Sequence, residues 1–227
     1  MPATMCTRLL LVLCTSAISM NATAAPEIAL DVGHTLEKPG VISAGGVPEF
    51  EYNLALALKV RESLEAGGLR VRMIGERGNL ASLPARTAAA RVADLFVSIH
   101  HDSVRERYLP VAEKFAGFSL FVSRVNPNVA KSLVCASAIG AALRRAGFVP
   151  SRYHADPVLG ESRAFADEAN GVHYFDNLAV AKTATMPALL LEAGVVVNRE
   201  EEARLAQPET REAIAAAVTG GVLQCLN

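Results

Sequence analysis

Four polar residues, each set where an apolar run ends or a helical pattern begins, carry the chemistry that this sequence can do. His34 follows the run Ile28 to Val32 and a break at Gly33, His100 follows Leu95 to Ile99, Glu192 follows Ala188 to Leu191, and Glu49 opens a helical stretch. Short apolar runs bounded in this way read as buried strands. Ligands of an open parallel sheet collect beyond the carboxyl ends of its strands, so four residues far apart in sequence are expected to share one site. Two neutral imidazoles and a carboxylate suit a zinc ion and leave a fourth position for water. Such a metal lowers the pKa of water toward about 7 and polarises a carbonyl oxygen. A glutamate beside the metal, but not bound to it, can take the proton from water and hand it to a leaving nitrogen. On this reading His34, Glu49 and His100 are metal ligands, Glu192 is the acid/base, and the reaction is hydrolysis of an amide.

The elements that must position them follow from periodicity. After His34, the stretch Thr35 to Pro48 holds Pro39, Gly40, Gly45, Gly46 and Pro48, which is loop chemistry. From Glu49, the residues Asn53, Leu56, Ala57, Val60 and Leu64 recur at helical spacing, which places Glu49 on the inward stripe, and Gly67-Gly68 ends the helix. A strand is predicted over Leu69 to Ile74, a helix from about Leu80 to Val92 with Leu83, Arg86, Thr87 and Ala90 along it, and then the strand ending at His100. Further on, the pattern gives a strand at Gly117 to Ser123, a helix from about Asn128 to Ala146, renewed order over His173 to Val180, the strand ending at Glu192, and a terminal helix from near Pro208 to about Cys225. Alternating strands and helices predict an α/β fold: a mainly parallel twisted sheet flanked by helices on both faces, in a single domain.

Composition bounds the remainder. The chain has 227 residues, 51% of them hydrophobic, with a formal net charge of -1. That balance lacks the basic footprint of a nucleic-acid binder. Residues 1–25 read as a secretory signal peptide, with Arg8, an apolar stretch from Leu9 to Ile18, and small residues over Ala22 to Ala25. The apolar stretch is shorter than the roughly 20 residues of a membrane span, so no stable span is expected in the mature chain, residues 26–227. Export would leave Cys135 and Cys225 where a disulfide is permitted. Both fall on apolar helical patterns, and two separate buried thiols are the favoured expectation.

The motifs Asp31-Val32-Gly33-His34, Glu49 with Asn53-Leu54, Ser98-Ile99-His100, and Met186-Pro187-Ala188 through Leu191-Glu192-Ala193-Gly194 resemble, in order and spacing, those of zinc-dependent N-acetylmuramoyl-L-alanine amidases of the Amidase_3 type. The resemblance implies zinc held by His34, Glu49 and His100, with Glu192 as the catalytic glutamate and Glu51 as a rival ligand to Glu49. It implies cleavage of the amide between N-acetylmuramic acid and L-alanine, peptidoglycan or muropeptides as the partner, and a periplasmic or secreted location. Val32 and the run His100-His101-Asp102-Ser103 depart from the family pattern without removing a ligand. Some relatives carry a plug that a protein activator displaces. In the polar segment 150–171, Glu161 or Glu168 could fill that role, Arg163 could instead bind a substrate carboxylate, or the segment could be a solvated excursion. His154 and His173 read as ordinary polar residues. Competing functions are a zinc peptidase or carboxypeptidase and a non-catalytic wall-binding relative.

Overall fold

The computed structural model describes Met1 and residues 24–226, so the segment read as a signal peptide lies, apart from its ends, outside the described residues. Seven strands form one sheet: β1 (Glu27–Val32), β2 (Arg70–Ile74), β3 (Leu95–Asp102), β4 (Ser119–Val122), β5 (Phe165–Asp167), β6 (Val172–Tyr174) and β7 (Ala188–Val195). Their spatial order is β2-β1-β3-β7-β4-β6-β5. The pairs among β2, β1, β3 and β7 are parallel, as is β4 with β6, while β4 runs antiparallel to β7 and β5 to β6.

Side chains alternate across the sheet, and each face has its own cover. Ile28, Leu30, Val97, Ile99, Leu189 and Leu191 pack against α1 (Glu49–Ala66), α3 (Val129–Arg145) and α6 (Pro208–Leu226). Ala29, Phe96, Ala188 and Leu190 face the smaller α2 (Leu83–Ala89) and α4 (Ala179–Thr183). The α1 stripe at Leu56, Ala57, Val60 and Leu64 is fully buried, each Leu contributing roughly 2 kcal/mol by burial. Ser82 caps α2 by accepting from the Ala85 amide at 3.3 Å, with Pro84 in the first turn.

Two expectations change. Cys135 and Cys225 form a disulfide between α3 and α6, with Cα atoms 5.0 Å apart, and are not separate thiols. Their apolar surroundings, which suggested thiols, are simply the core seam between those helices. The polar segment 150–171 is neither helical nor loose. It holds a single turn at Tyr153–Ala155 and β5, which closes the sheet's far edge.

Candidate active site

The site lies at the carboxyl ends of β1, β3 and β7. His100 and Glu192 are direct neighbours in the β3–β7 register, on the sheet face covered by α2 and α4, while Glu49 reaches over the edge from the first turn of α1. His34 follows β1 with φ at 70°, a left-handed backbone that costs a non-glycine residue about 1–3 kcal/mol. The loops close tightly around these side chains. A Cβ on Gly33 would lie 2.4 Å from the His100 ring, and one on Gly40 would lie 2.3 Å from Glu49 Oε2 and 2.9 Å from His34 Cδ2. Glycine at both positions is therefore what allows the cluster to form.

Glu49 Oε2 is 3.0 Å from His34 Nε2, and Glu49 Oε1 is 3.2 Å from His100 Nδ1. One donor atom from each of the three lies within 4.8 Å of the others. This is the group that sequence spacing brought together, and the only one of its kind among the described residues. Burial resists the charge on Glu49, but its hydrogen bonds to His100 and His34 hold the carboxyl well below the usual range. Glu51, the rival ligand, is exposed. Two imidazoles and a carboxylate converging in this way fit a zinc ion in donor type and number.

A second layer fixes Glu49. The Asn53 amide nitrogen donates to Glu49 Oε1 at 3.1 Å and to the Gly33 carbonyl at 3.3 Å. Its oxygen is therefore free to accept from His101 Nδ1, 2.8 Å away. Burial pushes the His101 imidazole down to about 3, so it stays neutral. The His101 amide also donates to Glu49 Oε1 at 3.3 Å.

Glu192 differs from Glu49 in having no hydrogen-bond partner among the described residues. Although the residue is partly exposed, its Oε2 is withdrawn from solvent and makes no hydrogen bond. Burial first, then the charges of Asp102 and Glu49, raise its carboxyl well above the usual range. A cavity of about 420 Å³ opens beside the cluster, lined by His34, Lys38, His100, Leu83, Leu178 and Leu190 among others.

Segment 150–171 packs against the end of β3 at Asp102 and does not line this cavity. Asp102 accepts from Tyr153 Oη, and His154 bridges Asp102 through Nε2 at 2.7 Å and Glu161 through Nδ1 at 2.9 Å. Arg163 stacks 3.4 Å over the Phe175 ring and lies 3.5 Å from Glu161. Glu161 is thus engaged with His154 and Arg163, and Glu168 pairs with Arg152 at the surface; neither joins the His34–Glu49–His100 cluster. His173 is buried between Phe165 and Phe121, and burial pushes its imidazole down to about 4. No sequence pattern marked His154, because its partners come from β3 and from its own polar segment.

His154 gives a pH test. Burial opposes its charge, but Asp102 and Glu161 outweigh that and raise it to about 9, against about 6.5 unfolded. A raised folded-state value stabilises fully below about pH 6.5 and is lost as pH rises through 9, a contribution on the order of 3 kcal/mol. Urea melts at pH 6 and pH 9.5 should show the wild type losing more stability than a His154→Gln variant. Equal losses would contradict the network.

Comparisons with known proteins bear on the chain and its fold. The family model described as N-acetylmuramoyl-L-alanine amidase matches residues 28–224. The N-acetylmuramoyl-L-alanine amidase AmiC of Neisseria meningitidis serogroup B is 30% identical over 223 residues, covering 89% of this chain and 53% of that protein. The chain spans about half the length of the curated relatives it matches. Among solved structures, the catalytic domain of CwlV, an N-acetylmuramoyl-L-alanine amidase from Bacillus (Paenibacillus) polymyxa var. colistinus, superposes with a TM-score of 0.70 at 25% identity, over 88% of this chain and 98% of that one. The CwlD amidase of Clostridioides difficile, solved in complex with the GerS lipoprotein, shares the fold with a TM-score of 0.66 at 22% identity, over 88% and 98%. A match running from the first strand to the last helix shows that the chain belongs to the N-acetylmuramoyl-L-alanine amidase family.

Proposed function

We propose that this protein is a periplasmic zinc hydrolase that cuts the amide between N-acetylmuramic acid and the L-alanine of peptidoglycan. The observation that carries the reading is the convergence of His34, Glu49 and His100 beside the unpartnered carboxyl of Glu192. Zinc bound by the three ligands would supply a positive charge that polarises the amide carbonyl and acidifies water. The chain's own groups do the rest. Glu192 Oε2 accepts the proton of the attacking water and returns it to the nitrogen of the departing peptide, a role suited to a carboxyl whose proton affinity is raised. Asn53 and His101 keep Glu49 oriented while this happens. Arg163, held in place by Phe175 and Glu161, offers its remaining N–H groups to a carboxylate of the stem peptide.

The location rests on residues 1–25 as an export signal, with residues 26–227 as the mature domain, and the Cys135–Cys225 disulfide supports it, since such bonds persist in oxidising compartments. Among the described residues no helix is long and apolar enough to cross a membrane. Glu161 and Glu168 are engaged elsewhere, so neither of them serves as a plug at the metal position.

The test is digestion by the purified protein alone of intact sacculi and of soluble muropeptides, with and without a chelator and zinc restoration, with products identified by mass. Peptides beginning with L-alanine, lost on chelation and regained with zinc, are the expected result. Cleavage between peptide residues would instead identify a peptidase. One equivalent of bound zinc with no product from either substrate would leave a non-catalytic relative.

A further inference from the structure

Beneath the two histidines lies a buried set of charges that the proposed chemistry does not use. Arg86, on α2, is only 2% exposed. Its Nη1 donates to Asp31 Oδ1 at 2.7 Å and to the Val32 carbonyl, its Nη2 donates to the His34 carbonyl, and its Nε donates to the Leu80 carbonyl at 3.0 Å. Asp31, 1% exposed, also accepts from Ser98 Oγ at 2.7 Å. Asp31 and Ser98 are register partners across β1 and β3. Asp31 stands three residues before His34, and Ser98 two before His100.

A buried ion pair does not explain itself by stability. Desolvating both charges offsets their attraction, and well-packed hydrophobic replacements are often neutral or stabilising. What Arg86 does provide is a rigid planar fork that reaches a carboxylate and three backbone carbonyls at once, which a lysine cannot copy. One of those carbonyls belongs to His34, whose left-handed backbone must be held by its surroundings. The cross-strand Asp31–Ser98 bond ties the same clamp to the strand that carries His100.

We propose that Arg86 is a positioning residue: with Asp31 and Ser98 it sets the spacing and orientation of His34 and His100 for the metal, and so contributes to metal affinity. The inference rests on the metal-binding reading above. Groups that orient metal ligands typically contribute about 10–100-fold in affinity, and that is the expected size here.

The test compares wild type, Arg86→Lys, and a triple variant Arg86→Met, Asp31→Leu, Ser98→Ala that exchanges the clamp for hydrocarbon. Zinc affinity is read by competition with a chromophoric chelator, cobalt-loaded protein by its visible absorption, and the fold by thermal melting. The triple variant should stay folded, melting below wild type because three backbone carbonyls lose the Arg86 donor, bind zinc about 10–100-fold more weakly and show a changed cobalt spectrum. A folded triple variant with wild-type zinc affinity and an unchanged cobalt spectrum would overturn the proposal. Should the triple variant not fold, Arg86→Lys decides the proposal, which an unchanged zinc constant in that variant would overturn. A wild-type chain that takes up no zinc would overturn the functional reading and this inference together, whereas zinc bound equally by all three overturns the inference alone.

Discussion

Replacing Glu192 by Gln should lower kcat for amide cleavage by about 10²–10⁴-fold while leaving one equivalent of zinc bound and the fold intact. The substitution keeps shape and volume and removes only the ability to take up and release a proton. Glu192 Oε2 has no hydrogen-bond partner among the described residues, so the substitution breaks no hydrogen bond at that oxygen. The ligands His34, Glu49 and His100 hold one another through their own short contacts, so the metal should not feel the change. Burial and the neighbouring charges of Asp102 and Glu49 both disfavour the ionised form of Glu192. A neutral amide relieves that repulsion, and the variant should therefore melt at or slightly above the wild-type temperature. Such a pattern, with activity lost, zinc kept and stability kept, separates an acid/base role from a ligand role. Loss of zinc in Glu192→Gln would make Glu192 a ligand, and near-normal kcat would assign the proton transfer to another group.

The strand-end residues were legible because burying a polar side chain is costly, so a histidine or glutamate closing an apolar run stands out against its surroundings. The fold followed from the same contrast, through the runs ending at His34, His100 and Glu192 and the α1 stripe at Leu56, Ala57, Val60 and Leu64. Strand direction was less accessible. β4 has only four residues and β5 three, and neither length nor alternation says that β4 runs against β7. Buried charges that satisfy one another also escaped. Asp31 sits inside an apolar strand and Arg86 on the inward stripe of α2, yet only the register of β1 against β3 and α2's position beside them reveal the clamp. The helix α5 (Arg199–Leu205) shows the same effect. Its acidic run, which no pattern singled out, turns inward: Glu201 accepts from the Gly117 and Val195 amides and Glu202 from Ser43, Gly45 and Tyr52. In segment 150–171 a polar composition that left a plug, a substrate-binding loop and a solvated excursion open turns His154 and Tyr153 inward, onto Asp102.

Removing the Cys135–Cys225 bond should lower stability by about 4 kcal/mol, because the bond closes a long loop, with a sequence separation of 90, and so restricts the unfolded chain more than it changes the folded one. For a domain of this size that corresponds to a fall in Tm of roughly 10 °C. The native state gives little reason for a larger loss. Cys135 is fully buried and Cys225 3% exposed in the seam between α3 and α6, where a thiol or an alanine remains compatible with the apolar surroundings. The seam is also held independently by close backbone packing, since a Cβ on Gly221 would come within 2.5 Å of Ile139 Cα. Both helices cover the sheet face opposite α2 and α4, so a Cys135→Ala, Cys225→Ala variant should keep its zinc affinity and its kcat at 25 °C while melting earlier. Thermal melts of this variant and of the wild type, each with and without reductant, check the assignment. Reductant present through unfolding should shift only the wild type, bringing it to the variant's Tm, and Cys135 and Cys225 titrating as free thiols in the denatured, unreduced protein would mean that the two are not joined.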